Sequence, residues 1–212
     1  MTWTAVAELS APLVLVPVGS FEQHGPHLPL DTDTRIAEAL CDELQDRLEL
    51  DSVIAPSIGI TASGEHQTFP GTISIGTSTT AAVLVEIARS ATWARGVVFV
   101  NGHGGNAEAL AVATDVLRHE GRSFLLWSPR PDSSDDAHAG RTETSVMLYL
   151  SPDDVDMDAA RAGNTTPLRE LAPQLRAGGV GAVSANGILG DPRRSDAADG
   201  ERIFRRWLEI GR

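Results

Sequence analysis

The run Gly96-Val97-Val98-Phe99-Val100-Asn101-Gly102-His103-Gly104-Gly105-Asn106 carries the clearest architectural signal in the chain. Val97 to Val100 are apolar without alternation, so neither face of this strand is meant for water. Such a strand belongs inside a parallel sheet covered by helices on both sides. The run then breaks into a polar, glycine-rich loop. The same order recurs at Leu13-Val14-Leu15-Val16-Pro17-Val18, which ends in Gly19-Ser20, at Ser52 to Ala55, which ends in Pro56, and at Ser123 to Trp127. Between these runs the periodicity changes. Ile36, Leu40, Leu44 and Leu48 are spaced for a helix over Ile36 to Leu48, and Thr79 to Trp93 and Asn106 to His119 are also helical. Glu143 to Leu150 and Asp196 to Ile210 predict the last helices, and Thr72 to Ile75 predicts an edge or hairpin strand. Strand–helix–strand repetition predicts an α/β domain, a three-layer αβα sandwich with a mostly parallel central sheet, as one domain over residues 1–212.

Composition narrows the chemistry. Of 212 residues, 17 are basic and all 17 are arginine. With no lysine there is no Schiff-base or P-loop lysine. The single Cys41 excludes a dithiol redox motif and any metal site built on several thiolates. A formal charge of -12 argues against duplex nucleic acid and anionic membranes as partners. The apolar run Ala11 to Val18 is too short to span a bilayer, and Met1 to Ser10 lacks a basic leader, so a cytoplasmic protein is expected. Ala172 to Val183 is poor in charge and reads either as a subunit interface or as an ordinary loop.

In sheets of this kind ligands bind beyond the carboxyl ends of the strands. Three loops there hold four of the six histidines, and another Gly- and Pro-marked loop holds a fifth, His66. Gly19 to Asp33 carries Glu22, His24, His27 and Asp33; Gly64 to Gly71 carries Glu65 and His66; Asn101 to Asn106 carries His103; His138 to Ser145 carries His138 and Glu143. Only His119 falls at a plain helix end. Glu22 and His24, two residues apart in extended chain, share a face. Glu22, His24, Asp33, His103 and Glu143 together supply three carboxylates and two imidazoles, a sensible donor set for a dinuclear hydrolytic site. Gly102 to Gly105 forms no GxGxxG, so a nucleotide loop is disfavoured.

These motifs resemble the creatininase family of metal-dependent amidohydrolases. The resemblance rests on Gly19-Ser20-x-Glu22-Gln23-His24-Gly25-Pro26-His27-Leu28-Pro29-Leu30-x-x-Asp33, Gly64-Glu65-His66 with Phe69-Pro70-Gly71-Thr72, Asn101-Gly102-His103-Gly104-Gly105-Asn106, and His138-Ala139-Gly140 with Glu143-Thr144-Ser145. It implies two divalent metal ions per subunit (zinc or iron, with manganese as a further choice), held by Glu22, His24, Asp33, His103 and Glu143, with Asp33 bridging. His138 is implied as the substrate-facing proton carrier, with Glu65 and His66 as second choices; Arg141, Gly104 and Gly105 are candidates for substrate contact. Creatininase itself has a glutamate where this chain has Gly105, which weighs against creatinine as substrate. The tail Gly187-Ile188-Leu189-Gly190-Asp191-Pro192 is similar to a branch that trims a modified precursor peptide in cofactor biosynthesis, releasing a crosslinked Val-Tyr-derived dipeptide. A homo-oligomer, typically a hexamer, is implied. The rival readings are hydrolysis of a small cyclic or formyl amide, and a metal-binding scaffold without catalysis.

Overall fold

The computed structural model describes residues 1–209. These cluster into two compact units interleaved along the chain. The first comprises Met1–Gly19, Asp33–Ala62 and Ile75–Ser128, the second Ser20–Thr32, Ser63–Ser74 and, of the described residues, 129–209.

The first unit holds a short N-terminal helix α1 (Trp3–Ala7) and a sheet of four strands, β1 (Leu13–Val18), β2 (Ser52–Ile54), β3 (Gly96–Asn101) and β4 (Phe124–Trp127). The order is β2-β1-β3-β4 and every neighbouring pair is parallel. Helices α2 (Thr32–Arg47), α3 (Thr77–Ser90) and α4 (Ala107–His119) connect successive strands and flank the sheet. Val14, Val16, Val18, Val97 and Phe99 bury one face of the two inner strands against Leu84, Val85 and Ala88 of α3 and Leu110, Ala113 and Leu117 of α4. Leu15 and Val100 alternate to the opposite face and are equally buried, as are Ile36, Ala37, Leu40 and Cys41 of α2. This two-sided burial is what the unalternating valines of β3 require. Pro17 is tolerated in an inner strand because its side of β1 faces β2, which ends at Ile54, opposite Leu15. The Pro17 carbonyl still accepts on that side, from the Ile58 amide.

The chain runs from β1 through α2 to β2, then crosses to the other side of β1 to lay down β3. The carboxyl ends of β1 and β3 therefore flank the point where strand order reverses, the usual place for a binding crevice. Both ends carry a glycine for the same reason. A Cβ on Gly19 would lie 2.3 Å from Thr34 Cα, and one on Gly102 would lie 2.4 Å from the Asp33 carbonyl oxygen. The first turn of α2 sits against both strand ends.

The second unit contains α5 (Arg141–Leu150), α6 (Leu168–Gly178) and α7 (Ala197–Glu209). Helices α5 and α7 meet at Gly200, whose absent Cβ would fall 1.8 Å from the Ser145 carbonyl oxygen. The expected end of α7 at Ile210 lies outside the described residues.

Several expectations need correcting. Thr72 to Ile75 forms no strand. The Ile73 and Ile75 amides donate one bond each, to Phe21 O and Thr61 O, so the alternation serves two separate staples and no ladder. Ala172 to Val183 is no ordinary loop: it is largely helical, in α6 and a 3-10 turn at Val180–Ala182. Helix α3 starts at Thr77, just after Gly76 at φ 77°, and ends before Trp93, which is half exposed. Among the described residues no helix is long and apolar enough to cross a membrane.

Candidate metal centre

In the first unit, the end of β3 delivers His103 in extended conformation beside Asp33, in the first turn of α2. His103 Nδ1 lies 2.9 Å from Asp33 Oδ2, and both residues are buried. His103 Nε2 lies 3.1 Å from the Ala62 carbonyl oxygen, which can only accept, so Nε2 carries the proton. Neutral His103 therefore turns an unprotonated nitrogen toward a carboxylate oxygen. Two electron-pair donors at that distance need either a second proton on the ring or a shared cation. An imidazole tied to a backbone carbonyl through its other nitrogen is the usual support of a metal-bound histidine. Two asparagines brace the loop. Asn106 donates to Gly19 O and Asn101 Oδ1, and its own Oδ1 accepts from the Ala62 amide; Asn101 donates to His103 O.

In the second unit, Glu22 is fully buried among imidazoles. His66 Nε2 lies 3.2 Å from Glu22 Oε1, and His138 Nδ1 lies 3.9 Å from it. His24 Nδ1 donates to the Glu22 carbonyl at 3.1 Å, which turns its Nε2 toward Glu143 Oε2, 3.8 Å away. His138 Nε2 lies 3.0 Å from the Gln23 carbonyl and donates to it, so Nδ1 is the basic nitrogen of the neutral ring. Donor atoms of Glu22, His24 and His138 all lie within 4.8 Å of one another. Buried carboxylates grouped with imidazoles through nitrogen and oxygen donors suit a divalent cation, because an uncompensated buried charge is expensive. The residues present fit a metal: donor atoms of Glu22, His24 and His138 converge in the second unit, and Asp33 and His103 are two further nitrogen and oxygen donors in the first.

The loop that presents His138 is held from three sides. Ala139 takes a left-handed conformation, φ 51°, which aims its amide at Glu143 Oε2, 2.6 Å away. The Asp136 carboxylate accepts from the Arg141 and Thr142 amides and so caps the start of α5. It fits because Gly140 and Gly190 leave room for it. The tail segment pairs its Leu189 backbone with His138 in an antiparallel bridge. Of these, Asp136, Gln23 and the asparagine braces had no assigned role in the sequence reading.

The remaining expected residues are placed as follows. Glu65 is half-buried, sits in the 3-10 turn Gly64–His66, and belongs to none of the metal-capable groups among the described residues. Its side chain borders a cleft of about 340 Å³ with Thr68 and the end of α6. The Arg141 guanidinium is engaged by Asp199 and the Ser134 carbonyl, so it ties the start of α5 to α7. Gly104 is exposed and its absent Cβ would meet nothing within 4 Å; Gly105 is half-buried beside it. Cys41 is buried and its thiol is pushed up to about 12, chiefly by burial, so it is no nucleophile.

His27 is buried with Nε2 2.8 Å from Thr144 Oγ1. Burial, with repulsion from His24 second, lowers it from 6.5 to about 4. Between those values the unfolded chain binds a proton that the folded chain rejects, so stability falls as pH drops from about 6.5 toward 4. The full loss is on the order of 3 kcal/mol. Urea midpoints measured across that window should decline for the parent protein and decline less for His27→Gln; parallel curves would reject the assignment.

The family model described as creatininase, creatinine amidohydrolase, matches residues 1–210, and the chain belongs to this family. Among its relatives is the mycofactocin precursor peptide peptidase of Mycolicibacterium smegmatis, 58% identical over 198 residues, which are 91% of this chain and 80% of that one. The protein of the same name from Mycobacterium tuberculosis is 53% identical over 204 residues, covering 92% and 81%. Among solved structures, a creatininase mutant of Zn–Zn type superposes with a TM-score of 0.78 at 27% identity, over 99% of this chain and 92% of that one.

Proposed function

We propose that this chain is a metal-dependent peptidase that hydrolyses a peptide bond near the C-terminus of a modified mycofactocin precursor peptide, releasing the crosslinked Val-Tyr-derived dipeptide. The buried Glu22 and His24 donors, with the basic nitrogen of His138 beside them, in a chain this similar to peptidases of that name, carry the reading. Glu22, His24, Asp33, His103 and Glu143 are the proposed ligands of two divalent ions, zinc or iron, with manganese as a further choice, and residues 1–212 work as one domain in a cytoplasmic homo-oligomer. Bound divalent ions would polarise the scissile carbonyl and lower the pKa of water toward ~7.

The chain's own residues do the rest. His138 is fixed through Nε2–H to the Gln23 carbonyl and presents Nδ1, which takes the proton from the attacking water and returns it to the leaving amine. Backbone bonds from Leu189 hold that loop, so the ring need not search for its position. Glu65 and His66 remain the second choices for the proton. Gly104, Gly105 and Arg141 are proposed to meet the substrate.

The test is mass spectrometry of the modified precursor peptide after incubation with metal-reconstituted and metal-stripped protein. Release of the C-terminal fragment only by the metal-loaded form is expected. Full cleavage by stripped protein would sink the proposal.

A further inference from the structure

We infer that Gln23 is a positioning residue whose side chain sets the tautomer of His66 and, through it, the protonated nitrogen that faces the Glu22 carboxylate. The amide has one orientation because its partners are backbone groups with fixed roles. Oε1 accepts from the Gly25 amide at 2.9 Å, and Nε2 donates to the Gly187 carbonyl at 3.0 Å. Gln23 is 5% exposed, and Gly187, at φ 80°, leaves the space it fills; a Cβ there would lie 1.8 Å from Gln23 Oε1.

One amide hydrogen remains, with two ring nitrogens within reach: His66 Nδ1 at 2.9 Å and His138 Nε2 at 3.1 Å. His138 Nε2 already donates to the Gln23 carbonyl, 3.0 Å away, so it carries a proton and cannot accept. The hydrogen goes to His66 Nδ1. That leaves the proton of neutral His66 on Nε2, which faces Glu22 Oε1 at 3.2 Å. Gln23 thus treats its two histidine neighbours differently. It holds His138 by backbone and His66 by side chain, so only His66 depends on which residue stands at position 23. Support of a ligand carboxylate by a histidine that is itself oriented is a second layer around a metal. The metal half of this inference rests on the proposed function; the tautomer half does not.

The experiment is long-range nitrogen–proton NMR of ring-labelled, metal-stripped protein at a pH where the rings are neutral, with peaks assigned from single His→Gln variants. The parent should show Nε2–H at both His66 and His138. Gln23→Met should release His66 to a mixture or to Nδ1–H and leave His138 unchanged. Gln23→Glu, which keeps the Gly25 bond and the volume, should do the same and serves if Gln23→Met does not fold. Titration with Zn²⁺ alone should show about 10- to 100-fold weaker binding in both variants. Nδ1–H on His66 in the parent overturns the inference, as does equal movement of both rings in the variants. Unchanged Zn²⁺ affinity overturns the link to Glu22. Peptide cleavage plays no part in these readouts, so failure of the peptidase reading would be seen separately.

Discussion

His103→Ala is expected to leave a folded protein that neither retains metal nor cleaves peptide. The side chain is buried at the end of β3, and its loss removes the contact with Asp33 and the bond to the Ala62 carbonyl. The Asn101–Asn106 brace does not depend on the ring, so the loop should keep its course. What is lost is one nitrogen donor, and with it the compensation of the buried Asp33 charge. Metal assistance contributes several kcal/mol to a hydrolytic transition state, so cleavage should fall by about 10³-fold or more. Elemental analysis of purified protein and turnover of the precursor peptide measure the two losses. A variant that keeps parental metal content and turnover would remove His103 from the site.

Gly102→Ala is expected to damage both fold and site, for a reason that lies in the backbone. The new Cβ would stand 2.4 Å from the Asp33 carbonyl oxygen and 3.3 Å from Ala37 Cβ. Neither obstacle is a flexible side-chain tip. The start of α2 would have to move off the end of β3, carrying Asp33 away from His103. Overpacking of this kind costs about 3 kcal/mol, read as a lower urea midpoint with an unchanged slope. Metal retention should fall in the same preparation. The contrast is Gly104→Ala, two residues on, where a Cβ would meet nothing within 4 Å and stability should stay within about 0.5 kcal/mol of the parent. Equal stability of the two variants would refute the packing argument.

The sheet was legible because its burial is written locally. Val97 to Val100 and Leu13 to Val18 have no polar face, and the spacing of Ile36 and Leu40 matches a helix whose residues are buried in the structure. Helix α6 was not legible. Pro173 lies inside it and Gly178-Gly179 closes it, and both residues read as loop. Thr72 to Ile75 shows the opposite failure, β-branched residues alternating for the sake of two isolated bonds. At the site, residue types and loops could be read, since histidine and carboxylate chemistry is intrinsic. Their mutual support could not. Gln23 reaches partners 43, 115 and 164 residues away, and Asp136 acts on α5 only because two glycines make room for it. No spacing rule links such positions.

The parallel pairing of β1 with β3 also has a consequence for biosynthesis. Leu13 pairs with Gly96, so β1 emerges from the ribosome more than eighty residues before its inner neighbour. At about 5–20 residues per second, an apolar hexapeptide waits on the order of ten seconds with only the three-residue β2 to cover one edge. Chaperone capture of nascent chains should therefore concentrate on lengths before β3 is complete, and expression at lower temperature, which weakens apolar association while the chain is unfinished, should raise the soluble yield.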